Sequence, residues 1–104
     1  MNAPKTARCL CVATHEPAPL DLDEHHVWPL GMGGPDVALN RVWLCPTAHR
    51  NAHEILREMV RVKRALTWSE VLDMFETPVS RYAYRVALLG FRRWQNHGLE
   101  GSLL

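Results

Sequence analysis

Four of the six histidines in this chain form two pairs, and these pairs constrain its fold more than any other feature. His49 and His53 are four residues apart in a segment with helical character, so both imidazoles would leave one helix face, one turn apart. Helices that bind a metal ion through two histidines use this spacing. His25 and His26 lie in an apolar, β-prone run that stops at Pro29. We therefore expect the remaining structure to bring the two pairs together.

The sequence around these pairs predicts a strand, a glycine-rich loop, a second strand and a helix, in that order. The strands are predicted at 20–28 and 40–44, and the loop at 29–39 contains three glycines and two prolines, which disfavour regular structure. The helix is predicted to begin at Cys45-Pro46, because proline suits the first helical position, and to end near Arg64. Its apolar residues fall on one stripe: Ala52, Ile55, Leu56, Met59 and Val60 or Val62. A further short strand is predicted at 8–12.

Two more helices are predicted after this segment. Thr67 and Glu70 have the spacing of a capping box, which would open a short helix ending near Phe75. The last helix is predicted from Ser80 to about Asn96, with Gly98 as its stop and with Tyr84, Leu88 and Phe91 on its buried stripe. The sequence thus predicts one α+β domain over 1–104, with a helical extension at about 67–97.

Composition and charge narrow the function classes. No apolar run approaches the ~20 residues that span a bilayer, and the N-terminal residues lack the apolar core of a signal peptide. Three cysteines, an odd number, argue against a closed disulfide framework and for a reducing compartment. We therefore expect a cytoplasmic protein with no membrane partner.

The net charge of +1 conceals an uneven distribution along the chain. Residues 1–40 carry two Lys/Arg and five Asp/Glu, whereas residues 41–93 carry ten Lys/Arg and five Asp/Glu. A basic second half is suited to a phosphate backbone, although a solvated helix surface would have the same composition.

Taken together, these segments resemble the HNH endonuclease family, whose ββα-metal fold has the same order of elements. The matching motifs are EHHVWP at 24–29, GGPD at 33–36, NRVWLC at 40–45, and the H-x3-H of His49 and His53. The resemblance covers roughly residues 9–60 of a ββα-metal core expected at about 9–65. The sequence resembles in particular small HNH proteins encoded by tailed phages, which would place the protein in the host cytoplasm.

The resemblance implies a role for each histidine of the two pairs. His26 matches the general base that takes a proton from the attacking water, and Asn40 matches the residue that pins the loop and orients that base. His49 matches a metal ligand from the start of the helix, and His25 and His53 match the remaining ligand positions. Some family members have Asp before the base, so Asp23 or Glu24 in place of His25 stays open.

Physical chemistry supports this assignment independently of the resemblance. Hydrolysis of a phosphodiester requires a water deprotonated near neutral pH, and histidine has an unperturbed pKa of ~6.5. One divalent ion (Mg²⁺, Mn²⁺, Ni²⁺ or Zn²⁺) held by neutral imidazoles would neutralise charge on the phosphate and on the departing 3′ oxygen. The resemblance implies 5′-phosphate and 3′-hydroxyl ends. A base histidine cannot also be a ligand, which explains two adjacent histidines with different tasks, since strand neighbours point apart.

Several arginines are candidates for phosphate contacts on double-stranded DNA. Arg41 and Arg50 lie beside the proposed site in sequence, and the remaining candidates have the spacing of one helix face: Arg57, Arg61 and Arg64. Solvated surface is the competing interpretation for all of them.

The cysteines depart from the usual family pattern. Many HNH proteins hold a second, structural zinc with two CxxC motifs, whereas here the first pair is Cys9-x-Cys11 and the position expected to partner Cys45 is Ala48. A Cys3His site completed by His15 is compatible with tetrahedral zinc, and reduced core cysteines are the alternative.

The sequence thus favours a metal-dependent DNA endonuclease. Two alternatives remain open: a non-catalytic nucleic-acid-binding module stabilised by zinc, and an accessory subunit that acts with terminase or other proteins of a phage packaging machine. An unligated histidine favours the enzyme, because a purely structural metal site has no use for one.

Overall fold

A two-stranded antiparallel sheet and three helices form the part of the protein that the computed structural model describes, residues 22–98. Strand β1 is Asp23–His26 and strand β2 is Arg41–Leu44, with His25 opposite Val42 and His26 opposite Arg41. The chain is therefore α+β, as predicted. The strand predicted at 8–12 lies outside the described residues.

The connection between the strands is more ordered than the predicted loop. It contains 3-10 turns at Leu30–Met32 and Ala38–Asn40. Asn40 therefore precedes β2 instead of opening it, because its backbone N–H bonds to the carbonyl of Val37 at 2.9 Å and closes the second turn.

Helix α1, Pro46–Val62, begins where the sequence predicts. Cys45 is its N-cap, with the Sγ atom accepting a hydrogen bond from the Ala48 N–H at 3.4 Å, and Pro46 occupies the first position. The helix ends before the predicted Arg64, because Lys63 adopts a left-handed conformation at φ 61° and bonds back to Met59.

Two shorter helices follow. The predicted capping box is confirmed at the start of α2, Trp68–Met74, where Thr67 and Glu70 bond reciprocally. Helix α3, Arg81–Arg93, begins at the Ser80 cap, and a π-helical turn at Trp94–Gly98 replaces the regular last turn predicted for it. None of the helices within residues 22–98 is long and apolar enough to cross a lipid bilayer.

The core lies mainly between α1 and α3. The predicted stripe of α1 is largely confirmed, since Ala52, Ile55, Leu56 and Met59 are buried while Val60 and Val62 are half-buried. Of the predicted stripe of α3, Phe91 is buried, whereas Tyr84 and Leu88 are half-buried and pack against the core. The buried face of α3 consists mainly of small residues, because the helix approaches its neighbours closely: Ala83, Val86, Ala87, Gly90 and Phe91.

Gly90 marks the closest approach of α3 to the strand that carries the first histidine pair. A Cβ atom at this position would lie 2.0 Å from the carbonyl oxygen of Val27, the residue directly after β1. Because no side chain fits there, α3 packs directly on the backbone at the end of β1.

We predict that Gly90→Ala destabilises the protein by about 1–3 kcal/mol, because the added methyl group forces α3 away from Val27. Gly31→Ala is the matched control, since a Cβ there meets nothing within 4 Å and the expected change is within about 0.5 kcal/mol. Urea unfolding of both variants measures the difference. Equal stability of the two variants would contradict the close packing.

The capping box of α2 predicts a defined pH dependence. Hydrogen bonds from the Arg64 guanidinium and the Thr67 backbone lower the pKa of Glu70 from 4.5 to about 2. The carboxylate therefore stabilises the folded state fully above pH 4.5, and this contribution is lost as the pH falls toward 2. The difference in unfolding free energy between wild type and Glu70→Gln should shrink over that range. Glu76→Gln removes an exposed carboxylate just after α2 and is the control for loss of a charge in this region.

Candidate metal centre

Three of the predicted histidines converge between β1 and α1. The rings of His25, His49 and His53 lie with centroids 4.8 to 5.2 Å apart. One ring nitrogen of each lies within 4.8 Å of the others, which makes the cluster a group that could hold a metal ion. The tertiary structure thus joins the first histidine pair to the second through His25.

His25 is the buried member of the cluster. Its relative exposure is 1%, and neither of its ring nitrogens has a hydrogen-bond partner among the described residues. Burial, followed by the nearby His53 and His49, lowers the pKa of His25 to about 3, so the ring is neutral at physiological pH. A neutral imidazole with an unsatisfied buried lone pair is costly by itself, and a metal bond would satisfy it.

Asp23 contacts the ring of His49, the second histidine of the cluster. Its Oδ2 atom lies 3.0 Å from Nδ1 of His49. Because a carboxylate accepts hydrogen bonds, Nδ1 of His49 is the protonated nitrogen and Nε2 carries the lone pair. Asp23 and His25 are two residues apart on β1, so both side chains face α1.

The lone pair of His49 points at His53. The two Nε2 atoms are 3.1 Å apart. Two imidazole nitrogens bound to one tetrahedral ion at about 2.0–2.1 Å would be roughly 3.3 Å apart. Partial burial, His49 and Arg57 also lower the pKa of His53, which favours its neutral, ligating form. Three imidazoles, two of them favoured in the neutral form by burial, therefore form a donor set that could hold a metal ion. The Nε2 atoms of His49 and His53 lie close to the separation expected for two ligands of one ion.

His26 faces away from this cluster, as expected for neighbours on a strand. Its Nε2 atom lies 2.9 Å from Oδ1 of Asp36, and its side chain is 19% exposed. Asp36 also accepts a hydrogen bond from Arg41 at 2.7 Å, and Arg41 lies opposite His26 in the sheet. His26 is thus adjacent to a cluster ligand while remaining outside the cluster.

Asn40 fastens the loop that follows His26. Its side-chain amide donates to the carbonyls of Trp28 and Pro35, both at 2.8 Å, and its Oδ1 accepts from the Trp28 N–H at 2.9 Å. The residue is buried, with 2% exposure. Asn40 therefore acts on His26 through the backbone on either side of the loop and does not bond the imidazole itself.

The glycine-rich motif allows the loop to close. A Cβ at Gly34 would lie 1.8 Å from the Trp28 carbonyl oxygen, so only glycine fits there. Gly33 has a φ of 91°, in the left-handed region that glycine favours.

The candidate phosphate-binding arginines occupy different environments. Arg41 is paired with Asp36, Arg61 with Glu58, and Arg64 with Glu70. Arg50 and Arg57 are exposed and form no ion pair with any carboxylate among residues 22–98. These two flank His53 at spacings of three and four, so they share its face of α1.

A pocket of about 200 Å³ lies beside His53. It is bounded by the first 3-10 turn and by α1, and its lining residues are Pro29, Met32, His53, Leu56, Arg57 and Val60. The cluster therefore has open space next to its exposed ligand.

Most of the residues predicted for a structural zinc site lie outside the described part of the chain. This applies to Cys9, Cys11 and His15, whereas Cys45 is buried at the start of α1. The structural zinc stays a prediction.

The observed contacts of two acidic residues do not follow from the sequence predictions. Asp23 is predicted only as an alternative ligand, although its position two residues before His25 already places both on one strand face. Asp36 is predicted only as part of the GGPD motif. No local sequence pattern indicates that the Asp36 side chain forms a hydrogen bond with His26.

Comparison of the chain with protein-family models, with curated proteins and with solved structures finds no match.

We predict that the metal-stripped protein binds Ni²⁺ through the histidine cluster. Asp23→Asn should weaken the affinity by about 10- to 100-fold, because partners that orient ligands contribute this much. His49→Ala should weaken it further, through loss of a ligand. Isothermal titration calorimetry measures both.

Asp73→Asn removes an exposed carboxylate on α2 and serves as the control. Equal affinities for Asp23→Asn and wild type would exclude an orienting role for Asp23.

Proposed function

We propose that this protein is a metal-dependent endonuclease of the HNH type, which hydrolyses phosphodiester bonds in DNA. One observation carries the proposal: three histidines form a ligand cluster while the adjacent His26, held by a carboxylate, stays outside it. The order of β1, β2 and α1 is that of a ββα-metal core and supports the same assignment.

His25, His49 and His53 would hold one divalent ion. When bound, the ion would supply positive charge to the phosphate and to the departing 3′ oxygen. Three imidazoles favour transition metals such as Ni²⁺ or Zn²⁺ over Mg²⁺, which prefers oxygen ligands. Among the predicted metals, we therefore expect the transition metals to bind most tightly.

His26 would act as the general base. Because its ring is not in the ligand cluster, one nitrogen keeps a lone pair for the proton of the attacking water. Its backbone directly follows that of His25, and its ring lies on the opposite face of β1 against Asp36. Asn40 would hold the base in place by closing the loop that follows it.

DNA would contact the exposed face of α1. Arg50 and Arg57 are the arginines best placed for phosphate, because they flank His53 and are not engaged by carboxylates among the described residues. Arg41, Arg61 and Arg64 would first have to exchange their present carboxylate partners.

Cleavage of supercoiled plasmid by metal-stripped protein tests the proposal. We expect cutting to be restored by adding one of Mg²⁺, Mn²⁺, Ni²⁺ or Zn²⁺. His26→Ala should lower the rate by about 10²- to 10⁴-fold, the usual contribution of a general base, while its metal affinity stays near that of wild type.

The other outcomes identify the alternatives. If neither protein cuts with any metal and both bind DNA equally, the chain is a binding module in which the metal has a structural role. If cutting appears only after a packaging protein is added, the chain is an accessory subunit.

A further inference from the structure

Asp36, in the loop between the strands, contacts one side chain from each strand. Its Oδ1 atom lies 2.9 Å from Nε2 of His26 and 2.7 Å from Nη2 of Arg41. Nε of Arg41 approaches the same oxygen at 3.2 Å. The carboxylate thus receives donors from the ends of both strands.

The contact determines which nitrogen of His26 carries the proton. An ionised carboxylate only accepts hydrogen bonds, so Nε2 must donate and Nδ1 keeps the lone pair. The bond from His26, and then that from Arg41, lowers the pKa of the Asp36 carboxyl below its ordinary value.

The backbone around Asp36 is fastened on both sides. The carbonyl of Pro35 accepts from the Asn40 side chain at 2.8 Å, and the carbonyl of Val37 accepts from the Asn40 backbone at 2.9 Å. Although the Asp36 side chain is 64% exposed, its attachment to the sheet is therefore defined.

We propose that Asp36 is a positioning residue for His26, which holds the imidazole with its proton on Nε2 and leaves Nδ1 to act as the base. This inference rests on the function proposed above. In the reaction, a proton passes from water to Nδ1 while the water oxygen bonds to phosphorus. The bond from phosphorus to the 3′ oxygen breaks, and this oxygen takes a proton from solvent. Asp36 then stabilises the imidazolium, the task that the carboxylate performs in a Ser-His-Asp triad.

The first test is independent of activity. In ¹⁵N NMR spectra of the full-length protein, the His26 signals are assigned by their loss in His26→Gln. We expect a protonated Nε2 whose proton exchanges slowly with water, and Asp36→Ala should lose this protection. A wild-type His26 protonated on Nδ1, or protection unchanged by Asp36→Ala, would overturn the inference.

The second test uses plasmid cleavage and a double-mutant cycle. Asp36→Ala should lower kcat at least about 10-fold, and at most by the roughly 10²- to 10⁴-fold expected for His26→Ala, with a smaller effect on KM. In the His26→Ala background the same change should have no further effect, because Asp36 acts through that ring. Asp36→Glu should recover part of the rate.

Control variants distinguish a positioning role of Asp36 from a general effect on folding, and from failure of the proposed nuclease function. Asp73→Ala, an exposed carboxylate on α2, should leave kcat unchanged. Two results would refute the role of Asp36 without contradicting the proposed nuclease function. One is that the losses of kcat from the two substitutions add in the double variant, and the other is that Asp36→Ala leaves kcat unchanged while His26→Ala is inactive. Full activity of His26→Ala would refute both.

Discussion

The hydrogen bonds of the buried Asn40 determine how the first histidine pair is placed relative to the second. Its side chain joins Trp28 to Pro35, and its backbone carbonyl accepts from the Val27 N–H at 2.8 Å. These bonds fix where β1 ends relative to β2. A shift of the register by one residue would exchange the faces of His25 and His26, because side chains alternate along a strand. The loop closure therefore decides which histidine meets α1.

The two faces of β1 give adjacent histidines opposite chemical environments. On the α1 side, His25 is desolvated and surrounded by two other imidazoles, which keeps it neutral. On the other side, His26 contacts the charged carboxylate of Asp36 and retains some exposure to water. One strand provides both environments, because its period of two places neighbouring side chains on opposite faces.

The helices after α1 contribute to the site by supporting it. A sheet of two short strands has little stability by itself, and the main core forms where α3 packs on α1 and on the carbonyl of Val27. The small residues of α3 permit this approach. One side of α1 packs into the apolar core, and the polar residues of the site lie on its other side and in the loop between the strands.

The sequence by itself determined the order of elements, the start of α1 and the capping box of α2, and it placed His49 and His53 on one face of α1. These features follow from local rules: helical spacing, proline at the first helical position and cap residues. Only the tertiary structure decided the buried face of α3, because close helix packing selected alanine and glycine over the larger Tyr84 and Leu88. It also decided the partners of His49 and His26. Asp23 and Asp36 reach them by strand pairing and loop closure, and contacts between residues distant in sequence leave no periodic signal in the chain.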